Sequence, residues 1–162
     1  MELKIEPVSA KNRKSVLALT AAPGQEGFVE TPAACLQEAR RLRLWRPVAI
    51  LAEQTVIGFA MYGFFPREGA HGRVWLDRLL IGGGQQGKGY GKAAIGLLID
   101  RLRREYGCGE VFLSCYPQNT AAMRLYQKLG FAPNGEKDIN GEDVLVLPLP
   151  ETGNSGKPGG IS

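Results

Sequence analysis

The fold of this chain is indicated by the stretch Leu79-Leu80-Ile81-Gly82-Gly83-Gly84-Gln85-Gln86-Gly87-Lys88-Gly89-Tyr90-Gly91-Lys92. It ends one apolar run and opens another with helical period, which predicts a strand, a glycine turn and the start of a helix. Glycine leaves backbone N–H groups unshielded, and N–H groups at a helix N-terminus bind phosphate. We therefore expect a diphosphate to bind here, and the alternative is a loop that only has to turn sharply.

Two common phosphate-binding motifs do not fit this stretch. Gly82 to Lys88 matches the nucleotide triphosphatase pattern, but that loop needs a Ser or Thr for magnesium after the lysine, and Gly89 stands there. The dinucleotide motif needs its third glycine one residue later and an acidic residue ending the next strand, whereas Glu110 precedes that strand. The pattern that remains is Gln86-x-x-Gly89-x-Gly91.

The composition predicts one globular domain over residues 1–150 and a flexible tail over 151–162. The chain has 162 residues, of which 44% are hydrophobic and 22% are charged, so it can form a substantial core. The tail is rich in Gly, Pro, Ser and Asn and has almost no apolar content. The formal charge is +4, but the basic residues are spread over helices without stacking aromatics, so we expect no nucleic-acid partner.

Cysteine use and hydropathy indicate a cytoplasmic protein. The three cysteines are an odd number without metal-ligand spacing, and the polar start Met1-Glu2-Leu3-Lys4 is unlike a signal peptide. No apolar run approaches the ~20 residues that span a bilayer. We therefore expect neither a bound metal nor a membrane partner.

The hydrophobic patterns along the chain predict an α/β fold. Strands are expected at 3–8, 47–53, 56–65, 74–81, 111–116 and 143–149, with a return into the sheet at Phe131. Four helices are expected, beginning at Ser9, at Thr31, after the glycine turn and at Asn119. Gly58 and Gly63 are expected to mark bulges or close approaches within the hairpin.

This order of elements resembles the GCN5-related N-acetyltransferases. Two motifs carry the resemblance, Gln86-x-x-Gly89-x-Gly91 and Asn119-x-x-Ala122-x-x-Leu125-Tyr126-x-Lys128-Leu129-Gly130-Phe131. The resemblance spans most of residues 3–149. It implies a mixed sheet of about six to seven strands that splays at the cofactor-binding strand, with about four flanking helices. It also implies acetyl-coenzyme A as the acetyl donor, and members of the family often form homodimers.

The resemblance assigns the coenzyme to three parts of the chain. In such enzymes the strand that corresponds to Leu79, Leu80 and Ile81 pairs its exposed backbone with the pantetheine arm. The pyrophosphate contacts the loop and the helix start, which here are Gln86, Gly87, Lys88, Gly89, Tyr90, Gly91 and Lys92. Asn119 and Ala122 match positions beside the pantetheine, and the role of Asn119 as a plain helix cap is equally compatible.

Acetyl transfer from a thioester to an amine requires two proton transfers. An alkyl ammonium titrates at ~10 and must lose a proton, while the departing thiolate, with a pKa of ~8.5, benefits from a proton donor. Tyr126 corresponds to the family's acid, whereas a tyrosine taken alone would be a core aromatic. Asp77 is the candidate base; the alternatives are an ion pair for Asp77 or a distant Glu acting through water. The oxyanion is expected at the N–H of Leu79 or Leu80.

The whole chain particularly resembles the bacterial spermine and spermidine acetyltransferases. This resemblance includes Gln25-Glu26-x-Phe28-Val29, Ala60-Met61-Tyr62-Gly63 and Trp75-x-Asp77-Arg78. It implies a polyamine as the acetyl acceptor, with Glu26, Glu30 and Asp77 facing it, although Glu26 and Glu30 are equally typical of solvated surface. The alternative functions are acetylation of a protein N-terminus, a lysine or an aminoglycoside amine, and a module that binds acyl-coenzyme A without catalysis.

Overall fold

The computed structural model describes residues 2–23, 27 and 30–150, so the predicted tail lies outside the described residues. The strands are β1 (Leu3–Pro7), β2 (Trp45–Ala52), β3 (Thr55–Phe65), β4 (Arg73–Ile81), β5 (Glu110–Cys115), β6 (Ala132–Lys137) and β7 (Asp143–Pro148). The α-helices are α1 (Arg13–Leu17), α2 (Pro32–Arg41), α3 (Tyr90–Tyr106) and α4 (Thr120–Lys128). A short 3₁₀ turn covers Gly83–Gln85.

The seven strands form one mixed sheet in the order β1-β2-β3-β4-β5-β7-β6. Only β4 and β5 run parallel among these neighbours, and α3 makes the crossover that a parallel pair requires. These two strands share a single registered pair, Trp75 with Phe112, and separate beyond it. The structure thus confirms the predicted α/β fold, including the splay at β4.

Helices cover both faces of the sheet because the strand side chains alternate between them. Within β2, Val48 and Ile50 belong to one hydrophobic cluster, whereas Ala49 and Leu51 belong to the other. The first cluster is completed by the buried face of α3, which consists of Ala94, Ile95, Leu98 and Leu102. The second is completed by Val16 of α1 and by Cys35 and Leu36 of α2. Of the helices described, none is long and apolar enough to cross a membrane.

The predicted helix start at Ser9 is wrong. Helix α1 begins at Arg13, and Asn12 occupies its N-cap position without a capping hydrogen bond from its side chain. Asn12 is buried and instead accepts the Ser9 N–H at 2.9 Å and donates to the Pro7 carbonyl at 3.0 Å. These local bonds close a turn after β1 and compete with helix formation, so the helix starts four residues later.

The other predicted caps are confirmed. Thr31 accepts the Ala34 N–H at 3.2 Å, and Asn119 accepts the Ala122 N–H at 3.4 Å. Helix α3 ends at Gly107, whose φ of 60° is the left-handed conformation that glycine favours at this position.

Gly58 and Gly63 are close approaches, as expected. A Cβ at Gly58 would lie 2.7 Å from the Leu80 carbonyl oxygen, and one at Gly63 would lie 2.6 Å from the Leu44 carbonyl oxygen. The β2–β3 register also shifts between Ile50 and Leu51, next to the partner of Gly58. Gly58 therefore lets β3 and β4 come together at the end of β4 that carries the glycine turn.

We predict that Gly58→Ala destabilises the fold by about 1–3 kcal/mol, because the added methyl group must displace backbone. Gly96→Ala is the matched control, since Gly96 lies within α3 and a Cβ there would meet no atom within 4 Å. That change should stabilise the protein by about 0.5–1 kcal/mol through helix propensity. Urea unfolding measures both, and equal stability of the two variants would contradict the prediction.

Candidate active site

A cavity of about 660 Å³ opens where β4 and β5 separate. Its walls come from β4, the glycine turn, the start of α3, the end of β5, α4 and the turn between β6 and β7. The expected site residues that line it are Glu30, Asp77, Leu79, Leu80, Ile81, Gln86, Gly87, Gly89, Tyr90, Gly91, Lys92, Asn119, Ala122 and Tyr126. The fold thus brings together residues that the sequence distributes over almost a hundred positions.

Two expected residues are not part of this wall. Lys88 lines a smaller, neighbouring depression, and its Nζ lies 3.5 Å from Gln85 Oε1. Glu26 lies outside the described residues. Within the described ranges, no three His, Cys, Asp or Glu side chains are grouped so as to hold a metal ion.

The glycine turn is held by three hydrogen bonds. Gln86 Nε2 donates to the Ile81 carbonyl at 3.1 Å, so the glutamine of the motif ties the turn to the end of β4. The Gly82 and Gly83 N–H groups each donate at 2.8 Å, to the carbonyls of Ile57 and Thr20. These bonds fix the course of the backbone from β4 into α3.

The start of α3 has the geometry of an anion site. Gly87 and Gly89 have φ values of 82° and 79°, and a Cβ at Gly87 would meet no atom within 4 Å. The Ala93 N–H bonds to the Gly89 carbonyl at 3.3 Å, so the N–H groups of the three preceding residues have no intrahelical acceptor. No acidic side chain lies in the first turn of the helix. This uncovered, positive helix end fits a diphosphate.

The side of β4 that faces β5 is also open beyond Trp75. Leu80 and Ile81 are registered with Phe59 and Gly58 of β3 on one side. On the other side, β5 is registered with β4 only at Trp75 within the described residues. Backbone amides between Leu76 and Ile81 therefore face the cavity and suit an extended ligand that carries amide groups.

Arg78 occupies a bulge in β4, where its guanidinium forms ion pairs with two glutamates. Its φ is 57°, and the β3–β4 register shifts at this point. Arg78 Nε lies 2.7 Å from Glu30 Oε1 and Nη1 lies 3.0 Å from Glu38 Oε1. Asp77 Oδ1 accepts only the Arg78 backbone N–H, at 3.0 Å, and its carboxylate has no ion pair among the described residues. Glu30 and Glu38 thus make the ion pairs that were the alternative role for Asp77.

The environment of Asp77 strengthens it as a base. Burial raises the pKa of this carboxyl above its ordinary value of 3.8, and the charges of Glu38 and Glu30 act in the same direction. The Arg78 guanidinium and backbone N–H oppose this rise. A carboxylate whose pKa lies closer to neutrality accepts a proton more readily than one in water.

Tyr126 packs within the fold and also lines the cavity. Its ring packs edge-on against Phe131, with the ring centroids 5.9 Å apart. Burial raises the pKa of this phenol above its ordinary value of 10, and Cys115, Asp77 and Glu142 add to the rise. The phenol is therefore protonated at neutral pH, which is the form that a proton donor requires.

Asp138 and Glu142 line the cavity although sequence reasoning did not select them. They belong to Asp138-Ile139-Asn140-Gly141-Glu142, whose composition is that of a solvated turn. Only the packing of the β6–β7 turn against the open end of β5 brings them to the site. The acidic residue at each end of this turn was the one feature of the sequence that could have suggested a binding role for it.

The two carboxyls of this turn share a proton. Burial raises the pKa of Glu142 to about 8, and the hydrogen bond to Asp138 adds to it. Burial also acts to raise the pKa of Asp138, but hydrogen bonds from Glu142 and Asn140 outweigh it, so the net shift is downward. Glu142 thus holds the proton and Asp138 holds the charge at neutral pH.

The comparisons with known proteins agree with this geometry. Residues 15–131 match the model of the acetyltransferase (GNAT) family. The spermine/spermidine N(1)-acetyltransferase of Bacillus subtilis (strain 168) is 41% identical over 152 residues, which cover 92% of this chain and 100% of that protein. The chain therefore belongs to the GNAT acetyltransferase family, as the sequence motifs predicted.

Solved structures show the same fold. An aminoglycoside acetyltransferase in complex with coenzyme A has a TM-score of 0.74 at 18% identity, covering 91% of this chain and 95% of that one. The spermidine N-acetyltransferase from Vibrio cholerae, in complex with coenzyme A and spermine, has a TM-score of 0.66 at 17% identity, covering 89% and 92%.

The raised pKa of Glu142 predicts a pH-dependent stability. Its pKa is 4.5 ordinarily and about 8 in the fold, so the folded state binds more protons between these values. The resulting stabilisation is complete below the lower value and is lost as the pH rises through the upper one. Glu142→Gln should therefore gain stability relative to the wild type from about pH 4.5 to about pH 8, with no further gain at higher pH, as measured by urea unfolding.

Glu136→Gln is the control for this experiment, because the hydrogen bond from Arg73 lowers the pKa of Glu136 instead. Glu136→Gln should leave the change of the unfolding free energy with pH unchanged between about pH 6 and about pH 8. A Glu142→Gln variant with the wild-type slope would show that Glu142 titrates normally.

Proposed function

We propose that the protein is an acetyl-coenzyme A-dependent N-acetyltransferase that transfers acetyl directly to a primary amine of a polyamine such as spermidine or spermine. The observation that carries this is one cavity holding an anion cradle, an open strand edge, a protonated phenol and several carboxylates. The 41% identity with the Bacillus subtilis enzyme, over its whole length, supports the polyamine as acceptor.

The residues around the cavity fit acetyl-coenzyme A. We assign its diphosphate to the N–H groups of Gly87 to Lys92. Gly87 and Gly89 have positive φ values there and no side chain that would cover these groups. The pantetheine arm then lies along the open edge of Leu79, Leu80 and Ile81. The cap uses only Asn119 Oδ1, so the amide nitrogen of Asn119 can still donate to the coenzyme.

Bound acetyl-coenzyme A supplies a thioester whose carbonyl carbon is attacked by the neutral amine. Asp77 accepts the proton that the substrate ammonium must lose, which leaves the nitrogen lone pair free to form the new C–N bond. Tyr126 donates its phenolic proton to the sulfur as the C–S bond breaks. A backbone N–H of Leu79 or Leu80 stabilises the negative oxygen between these steps. As this oxygen re-forms the carbonyl, the nitrogen loses its second proton to the Tyr126 phenolate through water, and Asp77 releases its proton to solvent, which restores both groups.

Cys115 is the cysteine that lines the described cavity, and its chemistry favours direct transfer. Burial raises its pKa to about 12, so it stays a thiol. A thiol is a poor nucleophile compared with a thiolate, which argues against an acetyl-cysteine intermediate.

We also propose a cytoplasmic location, because Cys35, Cys108 and Cys115 are all free thiols in this fold. The homodimer that the family resemblance implies stays a prediction, and sedimentation of the purified protein tests it.

We predict that Gly89→Val weakens acetyl-coenzyme A binding at least tenfold, because a side chain would cover the N–H groups at the helix start. Gly107→Val is the matched control, since Gly107 has a similar positive φ of 60° at the opposite end of α3. Both variants place a valine at a similar positive φ. Calorimetric titration with the coenzyme therefore distinguishes an effect of backbone strain on affinity from an effect of covering the binding site. Equal affinities of the two variants would reject the cradle.

Thiol release from acetyl-coenzyme A with spermidine, a lysine peptide and an aminoglycoside tests the function itself. Spermidine should react fastest, and Tyr126→Phe should lower kcat about 10²-fold at unchanged coenzyme affinity. Tyr106→Phe is the control, because Tyr106 lies on α3 at its far end from the cavity. Faster turnover of the peptide or the aminoglycoside would overturn the polyamine assignment, and full activity of Tyr126→Phe would remove Tyr126 as the acid.

A further inference from the structure

Three carboxylates meet near Tyr126 although they come from two distant parts of the chain. Asp77 lies on β4, while Asp138 and Glu142 flank the turn between β6 and β7, and all three line the cavity. After burial and Cys115, the charges of Asp77 and Glu142 add to the raised pKa of Tyr126, which lines the same cavity. The cavity thus carries acidic groups from two distant parts of the chain beside Tyr126.

Arg78 offsets part of the charge at Asp77 and Glu142 without forming an ion pair with either of them. Arg78, which follows Asp77 in sequence, directs its guanidinium to Glu30 and Glu38. In the turn, Lys137 Nζ lies 2.5 Å from Asp143 Oδ1 and so neutralises a different carboxylate. Among the described residues, neither Asp77 nor Glu142 has an ion pair. A cavity lined by acidic side chains without ion pairs favours a ligand that carries more than one positive charge, since binding of such a ligand ionises Glu142.

The turn presents Glu142 to the cavity by using Asp138 as an internal acceptor. Asp138 Oδ1 accepts the backbone N–H groups of Asn140 and Glu142, each at 2.9 Å. The Gly141 N–H also donates to the Asp138 carbonyl at 3.0 Å. These bonds fix the turn and engage Oδ1 of Asp138, whereas the Glu142 carboxyl is hydrogen-bonded within the described residues to the Asp138 side chain alone.

We propose that Glu142 binds a second ammonium group of the polyamine and thereby determines the preference for polyamines over monoamines. The proposal rests on the proposed function and specifies where the distal charge of the substrate lies. The reacting amine lies beside Asp77 and Tyr126, and the rest of the polyamine extends towards the β6–β7 turn. This differs from the sequence expectation for Glu30, whose carboxylate is already paired with Arg78 at 2.7 Å.

Because Glu142 titrates near neutral pH, a binding role predicts a pH-dependent KM for the polyamine, which a purely structural role does not predict. Burial raises the pKa of Glu142 to about 8, with Asp138 and Asp77 acting in the same direction and Arg78 opposing them. Cys115 and Tyr126 also face it, and burial raises the pKa of both groups, so they stay neutral. An ammonium must displace the Glu142 proton at neutral pH, and it therefore binds more tightly once Glu142 is ionised.

The test compares wild type and Glu142→Gln with spermidine and with hexylamine, at saturating acetyl-coenzyme A. Glu142→Gln should raise KM for spermidine about tenfold and change kcat and the hexylamine reaction less than about twofold. The difference in spermidine KM between the two proteins should widen from about pH 7 to about pH 9. Comparing both proteins at each pH cancels the titration of the substrate itself.

Asp143→Asn is the matched control, because it removes one negative charge from the neighbouring residue, which is paired with Lys137. It should retain the wild-type ratio of spermidine to hexylamine turnover. Glu142→Asp keeps the charge and should keep most of the preference, and it also serves if the glutamine variant does not fold. Loss of the preference in Glu142→Asp as severe as in Glu142→Gln would count against a charge contact.

Different results would overturn the proposed function and the role of Glu142. A wild-type protein that does not acetylate spermidine would overturn the proposed function. A wild-type protein that acetylates spermidine, together with a Glu142→Gln variant whose preference over hexylamine is unchanged at every pH, would overturn the role of Glu142 alone.

Discussion

The separation of β4 from β5 is the constraint on which the site depends. Two parallel strands that share one registered pair leave backbone donors and acceptors unpaired beyond it, and such groups need a partner. The crossover helix α3 starts at this same end of β4, so its uncovered N–H groups lie beside the open edge. One gap in the sheet therefore produces both the cavity and the two backbone surfaces that suit an extended anionic coenzyme.

The bulge at Arg78 sets the electrostatics of that gap. A left-handed residue other than glycine costs about 1 kcal/mol or more, which the two ion pairs of Arg78 with Glu30 and Glu38 offset in part. Because the guanidinium points to these glutamates, Asp77 keeps an unpaired carboxylate at the cavity. The same local distortion thus connects Glu30, just before α2, to the sheet and leaves the Asp77 carboxylate without an ion pair among the described residues.

Local sequence was a good guide wherever one short-range interaction dominates. The caps at Thr31 and Asn119, the glycine stop at Gly107 and the close approach at Gly58 were all predictable from residue type and pattern. The predicted helix start at Ser9 was wrong because the side chain of Asn12, three residues later, forms hydrogen bonds that close the same turn. Residue type alone does not decide between two adjacent polar residues that can both close a turn.

The sequence by itself determined the family, the fold class, the glycine cradle and the candidacy of Tyr126 and Asp77, because each depends on a motif or on a residue that breaks an apolar pattern. Only the tertiary structure decided that Arg78 forms its ion pairs with Glu30 and Glu38, and that Glu142 lines the same cavity as Tyr126. Side-chain pairing across a bulge and the docking of a distant turn depend on three-dimensional distance. Distance between residues far apart in the chain leaves no periodic signal in one sequence.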